Sequence, residues 1–357
     1  MAFPFKLPSR YTYEGPTFDG GQGSVYVCRD NFLDRKVAIK VMVGVSDPAQ
    51  LKRELAAIQG VRSRHVAQLY DIVTSVPKGK VGVVQEFVPG PVVTGYTKGG
   101  ADPIHDYIRI LYQIACGIAD IHESQKIHRD IKPSNIKLDA EQIVKILDFG
   151  LASDAATAPV TIDARGTPCY LAPELYNTPP IKYNSAVDMF AFGVTARVIA
   201  EGGAMLSGFR QTPPYINSLP DFAKCSLNLP VEVVSVLNQT LEAKPNRRPT
   251  ATQLRDVLAR RLLFGKHRAV VTYNTAHELS APGKAINLST KVGSVVIKYD
   301  GLCFTIDSVG GDVFINNSRA LIGNTLPDSC VITLGATALG AARKFVPFNV
   351  SHPGVVL

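Results

Sequence analysis

The chain has 357 residues, enough for about two domains, and its 46% hydrophobic and 19% charged side chains exclude an intrinsically disordered protein. The formal net charge of +8 is spread over dispersed Lys and Arg without a polybasic run, which favours a mildly basic enzyme over a nucleic-acid binder. The most apolar helix candidate, residues 187–200, is interrupted by Asp188 and Arg197, so no membrane span is expected, and six scattered cysteines without a CxxC pair or a signal-peptide pattern predict free thiols in a reducing, cytoplasmic compartment.

Strand-like segments open the chain at residues 11–15, 24–29, 36–42 and 81–87, where β-branched side chains alternate between turn residues. The turn FDGGQGSVY sets Gly20, Gly21 and Gly23 between two strands, and the missing Cβ atoms let backbone N–H groups approach an anion closely. Ser46-Asp47-Pro48 supplies a cap and a first-turn proline, and Leu51, Leu55 and Ile58 follow at helical spacing, so a helix carrying Glu54 starts near Pro48. Ile104, Ile108, Leu111, Ala115, Ile118 and Ile121 mark one face of a long amphipathic helix. Helices are also expected over 187–200 and 251–263, the second opened by a Thr250–Gln253 capping box. From about Gly265 the texture changes to short β-rich runs at 269–273, 285–288, 295–299, 302–306, 313–315 and 331–334, with Asp300-Gly301 read as a two-residue hairpin turn.

Three segments carry chemistry. Residues 127–136 read IHRDIKPSNI, Asp148-Phe149-Gly150 follows thirteen residues after Asn135, and Val37-Ala38-Ile39-Lys40 lies upstream on a strand. In this order and spacing the stretch from about Tyr11 to Phe264 resembles a eukaryotic-like (Hanks-type) serine/threonine protein kinase. The resemblance implies an α+β fold, bilobal, binding ATP and Mg²⁺ and transferring a phosphoryl group to protein hydroxyls, itself included. It implies Asp130 as the base that orients a substrate hydroxyl, Lys132 as the cation neutralising the phosphate in flight, and Asn135 with Asp148 as oxygen ligands of Mg²⁺. Lys40 would hold the α and β phosphates with Glu54 as its ion-pair partner, and Gly20, Gly21, Gly23, Val25, Ala38, Glu86 and Val88 would line the nucleotide site. Gln85-Glu86-Phe87-Val88 matches the hinge that meets the adenine through backbone groups, while Phe18 departs from the pattern by standing where the first loop glycine is expected.

Between Asp148 and Ala172-Pro173-Glu174 lies a polar stretch that matches an activation segment. Phosphate on Thr157 or Thr161 could pair with Arg129 beside the base, and Thr167 matches the position that bonds the catalytic Asp and Lys in Ser/Thr kinases. Asp188 is expected to cap the catalytic-loop backbone and Glu174 to pair with Arg248. The string DVFINNSRALIGNTLPDSCVITLG looks like the second half of a forkhead-associated domain, so residues 11–264 are read as the kinase domain and 266–357 as a small all-β sandwich. Lys291, Ser294 and Arg319 are its candidate phosphate contacts, but the Gly-Arg and Ser-x-x-His elements of a phosphothreonine reader are missing, which points instead to docking of a partner protein. The rivals are a pseudokinase scaffold, which would not need Lys40, Glu54, Asp130, Asn135 and Asp148 together, and a small-molecule kinase, which would not need a peptide-binding segment at 166–174.

Overall fold

The computed structural model describes residues 3–20, 23–42, 60–74, 80–94, 102–148, 153–154, 167–176, 183–210, 221–273, 275–351 and 353–355. Glu54, Gly21, Phe149, Gly150, Thr157, Thr161 and the helix expected near Pro48 lie outside these residues. The chain divides into two compact units, Met1–Leu258 and Ala259–Leu357.

The first unit begins with an antiparallel sheet of order β1-β2-β3-β5-β4, made of β1 (Tyr11–Gly20), β2 (Gly23–Asp30), β3 (Arg35–Met42), β4 (Leu69–Thr74) and β5 (Val81–Glu86). Strand alternation sorts β3: Val37, Ile39 and Val41 enter a core with Phe5, Tyr11, Cys28, Val73 and Val84, leaving Ala38 and Lys40 for the opposite face. β1 runs to Gly20, five residues past the expected end, because the Gly15-Pro16 interruption is absorbed by a register shift between Tyr13 and Thr17 and pairing then resumes. β4, for which the sequence has no clean alternation, is an edge strand that among the described residues pairs only with β5.

The long helix α1 (Pro103–Glu123) starts as its capping chemistry dictates, with the Asp102 carboxylate accepting from the His105 amide at 3.0 Å and Pro103 in the first turn. Its buried surface is wider than the expected stripe: Tyr107, Ile110, Gln113 and Ile114 are buried too, while Ile104 is only half-buried. The Tyr107 hydroxyl donates to the Ala196 carbonyl of α2 (Ala186–Ala200), a helix buried from Val187 onwards. Two short antiparallel pairs follow α1, one of β6 (Lys126–Ile127) with β9 (Ser153–Asp154) and one of β7 (Ile136–Leu138) with β8 (Val144–Ile146). Two further helices are α3 (Val231–Thr240) and α4 (Ala251–Leu262), α4 opening with the reciprocal Thr250–Gln253 bonds of a capping box.

In the second unit the strands form a six-stranded sheet, β11-β10-β18-β17-β15-β16, and a three-stranded sheet, β12-β13-β14. These are β10 (Arg268–Tyr273), β11 (Thr275–Leu279), β12 (Ala285–Thr290), β13 (Gly293–Tyr299), β14 (Phe304–Gly311), β15 (Val313–Ile315), β16 (Ser318–Arg319), β17 (Ser329–Leu334) and β18 (Lys344–Ser351). Ile297, Tyr299, Phe304 and Ile306 from one sheet and Val271, Ile332, Val346 and Phe348 from the other belong to one buried core.

Two expectations fail here. Asp300-Gly301 is part of a four-residue loop, because Tyr299 pairs with Phe304 and the Asp300 carboxylate accepts from both the Leu302 and Cys303 amides at 2.7 Å. β18, which the sequence analysis does not include and which contains Pro347, lies inside the sheet between β10 and β17. It tolerates the proline because its pairing with β10 covers only Phe348 to Ser351. β11 and β16 were also unpredicted. All six cysteines are free thiols, and no helix among the described residues is long and apolar enough to cross a membrane.

Candidate active site

A cavity of about 690 Å³ in the first unit is walled by residues from the sheet, from the segment after β5 and from the loop around β7, a size suited to a small ligand. Period-2 alternation builds its sheet wall: Val25 pairs with Lys40 across β2 and β3, Ala38 lies two residues away, and all three line the cavity. Gly23 sits there at φ 126, and a Cβ at this position would overlap the Val41 carbonyl oxygen. Its glycine is therefore required by strand packing whatever it does for a ligand. Gly20 pairs with Gly23 across the turn.

The opposite wall is a loop held from below by one buried carboxylate. Asp188, fully buried near the start of α2, accepts from the His128 and Arg129 amides at 2.8 Å each and is bonded to His122 Nε2 at 2.9 Å. Burial pushes its pKa up, but the bonds from His122 and the loop outweigh that and hold it below the ordinary carboxylate value. Arg129 adopts φ 69, a backbone conformation that Asp188 helps hold. Asp188→Ala should therefore cost about 3 kcal/mol or more of stability by orphaning buried donors, measurable as a lowered urea midpoint; an unchanged midpoint would show that water replaces the carboxylate.

The loop so held gathers four side chains. Asp130 accepts from Thr167 Oγ1 at 2.9 Å and from Asn135 Nδ2 at 3.0 Å, and Lys132 Nζ lies 2.7 Å from its carboxylate while also donating to Thr167 Oγ1 at 2.6 Å. Burial alone would raise the Asp130 pKa, but Lys132, Thr167 and Asn135 together hold it below the usual carboxylate range. The His128 ring joins this loop to the next: Nδ1 accepts from the Asp130 amide at 3.3 Å and Nε2 donates to the Leu147 carbonyl at 3.0 Å. Asp148 follows at φ 68, with its carboxylate 2.6 Å from Lys40 Nζ.

Residues 18–257 match the family model of the protein kinase domain. The chain belongs to the protein kinase family. It is 31% identical to the serine/threonine-protein kinase pkn2 of Myxococcus xanthus over 71% of this chain and 32% of that protein. It is 33% identical to the serine/threonine-protein kinase drp72 of Corynebacterium efficiens over 56% of this chain and 39% of the relative. With the serine/threonine-protein kinase PknA of Corynebacterium glutamicum it shares 30% identity over 64% of this chain and 51% of the relative. The chain thus spans about a third to a half of the length of these curated relatives.

Among the kinase residues singled out in the sequence, Asp130, Lys132, Asn135 and Thr167 form one bonded cluster, and Lys40 meets Asp148. Lys40 thus holds the carboxylate expected to ligate metal, with its expected partner Glu54 outside the described residues. Glu174 and Arg248 form the two-pronged pair anticipated for them, at 2.7 and 2.8 Å. Glu86 contributes more than backbone: its carboxylate binds Lys145 at 2.8 Å and accepts from the Gln68 amide at 3.1 Å, anchoring the segment after β5. Lys137 also lines the cavity and was missed, although Ile136-Lys137-Leu138 on a short strand puts the lysine on the side opposite Ile136. In the second unit Arg319 lies 3.2 Å from Asp312.

Proposed function

We propose that this chain is an ATP- and Mg²⁺-dependent protein serine/threonine kinase whose phosphoryl transfer is carried by Asp130. The observation that carries the reading is the bonded Asp130–Lys132–Thr167–Asn135 cluster, two of whose members, Lys132 and Asn135, line the same cavity as Asp148. Asp130, kept ionised by its three partners, can accept a hydrogen bond from a substrate hydroxyl and take its proton. Lys132 places positive charge beside that carboxylate, and Thr167 holds both in one geometry. The Asn135 amide nitrogen is spent on Asp130, which leaves its oxygen, with the Asp148 carboxylate, as the pair of hard ligands Mg²⁺ prefers. When bound, the ion neutralises phosphate charge as it develops. Lys40 would pass from Asp148 to the nucleotide phosphates, and Val25, Ala38, Glu86 and Val88 would enclose the base.

Incubation of the full chain with γ-labelled ATP and Mg²⁺ tests this. Phosphoserine or phosphothreonine on an added protein, or on the chain itself, is expected; no transfer under any divalent ion would favour a scaffold. Thr167→Ala should lower the rate by roughly 10- to 100-fold, the worth of one hydrogen bond to a charged group, while nucleotide affinity is kept.

Arg129, whose guanidinium stacks 4.2 Å from the Tyr183 ring centroid, is the proposed docking cation for phosphate on Thr157 or Thr161. Autophosphorylated protein should then be faster than phosphatase-treated protein; equal rates would remove phosphate from the control of the segment. For the second unit, the two sheets on a shared core support a forkhead-associated-like sandwich over residues 266–357 that docks a partner protein. Arg319 is already engaged by Asp312, and a phosphothreonine reader needs several converging charged bonds. The full chain, titrated with phosphothreonine peptides and their unphosphorylated forms, should show no preference between them. The setting of this activity is read as cytoplasmic.

A further inference from the structure

The three-stranded sheet of the second unit is closed along one edge and open along the other. Beside β14 a returning loop takes up the outer backbone groups: the Gly323 and Leu326 amides donate to the Ile306 and Phe304 carbonyls at 2.8 Å, and the Ile306 amide donates to the Asn324 carbonyl at 3.0 Å. β12 has β13 on one side and, among the described residues, no strand on the other. Register decides which of its groups are left over. The Tyr299 amide donates to the Lys284 carbonyl at 3.0 Å, and pairing then runs from Ala285 with Lys298 to Thr290 with Gly293 without a shift. Bonded and non-bonded pairs alternate in an antiparallel ladder, so Ile286, Leu288 and Thr290 spend their backbone groups on β13 while Ala285, Asn287 and Ser289 turn theirs outward. These last three residues are exposed, and no described residue bonds to their amides or carbonyls.

Edge strands are ordinarily guarded by charge, proline, a bulge or shortness. The six-stranded sheet is guarded in this way: Glu278 on β11 lies 3.6 Å from Arg268, and β16 is two residues long. β12 reads AINLST and has none of these guards. Charge stands at its ends instead, with exposed Lys284 before the strand and exposed Lys291 in the turn after it, about 20 Å apart at the rise of a strand. Exposed Lys298 lies opposite Ala285 on the neighbouring strand.

We propose that β12 is a docking edge that takes an extended peptide of a partner protein as an added strand, main chain to main chain, with acidic residues at the two ends of the peptide meeting Lys284 and Lys291. This rests on the reading of the second unit as a docking module and supplies its mode of recognition. Peptide side chains on the core side of the sheet extend the row begun by buried Leu288 and half-buried Ile286, so apolar residues are selected at every second position. A second copy of this chain is the poorer occupant. The register that joins the outward groups, Asn287 to Asn287, lays each Lys284 beside the other copy's Lys291, and like charges oppose pairing.

Hydrogen exchange of the full chain at residues 285–289, together with calorimetric titration, tests this with two synthetic peptides of alternating Val and Thr, one flanked by Glu and one by Lys. The Glu-flanked peptide should slow exchange at these residues and bind roughly five- to tenfold tighter than the Lys-flanked one, the worth of exposed ion pairs at both ends. Lys284→Glu combined with Lys291→Glu should reverse that order. Asn287→Pro removes one outward donor and leaves the ladder to β13 intact, so the urea midpoint should hold while affinity falls by about tenfold. Ser289→Pro is the second variant if the first does not fold. Binding that persists in a folded proline variant and protects other residues would overturn the edge while leaving the second unit a docking module. Binding of neither peptide at millimolar concentration would overturn the edge and the docking reading together. Protection of residues 285–289 without peptide, growing with protein concentration, would give the edge to a second copy and overturn the peptide.

Discussion

Asp130→Asn should lower phosphoryl transfer by roughly 10²- to 10⁴-fold, the contribution of a positioned general base, with fold and ATP affinity retained. The amide cannot take a proton, yet it is nearly the same size and can still accept from Thr167 or Asn135, so the loop anchored on Asp188 has no reason to move. The charge change reaches Lys132, which loses its partner at 2.7 Å, and a small part of the rate loss belongs to that. Single-turnover measurement with labelled ATP separates the chemical step from binding. A variant that transfers at the natural rate would remove Asp130 from the mechanism.

Asp148→Ala should abolish the dependence of nucleotide affinity on Mg²⁺ and lower transfer by about 10³-fold or more, because it deletes the charged member of the ligand pair. In the natural protein, added Mg²⁺ is expected to tighten ATP; in the variant ATP should bind equally with Mg²⁺ and with a chelator. The same substitution frees Lys40 from the carboxylate 2.6 Å away, so affinity in the chelator should not fall and can even rise as the ammonium turns to the phosphates. Mg²⁺-dependent tightening that persists in the variant would place the metal ligand elsewhere.

Much of the site was legible because it is built from short contiguous strings whose residues need particular chemistry. IHRDIKPSN carries the proposed base, cation and amide ligand within six residues, Asp130 to Asn135, and a chain that turns this tightly brings them together by local geometry. Val37-Ala38-Ile39-Lys40 was likewise legible as a strand, while the sorting of Val37, Ile39 and Val41 into the core and Lys40 to the other face is what the structure adds. Helix α1 was readable from its apolar spacing, though not its cap or the breadth of its burial, the latter depending on what packs around it.

Other features depend on partners distant in sequence. A lysine on a surface-like strand ordinarily faces water; Lys137 enters the cavity because the segment from Gly90 to Val93 pairs with β7 and brings the Val88 carbonyl within 3.1 Å. β18, which the sequence analysis does not include, is an interior strand despite Pro347, and its pairing with β10 begins one residue later, at Phe348. The residue chemistry and its spacing along the chain determined the family and the set of reactive groups. Tertiary structure decided which of those groups meet, that Lys40 holds Asp148 and that Lys137 also lines the cavity, because contacts between distant segments depend on pairing register and packing, which no local pattern encodes.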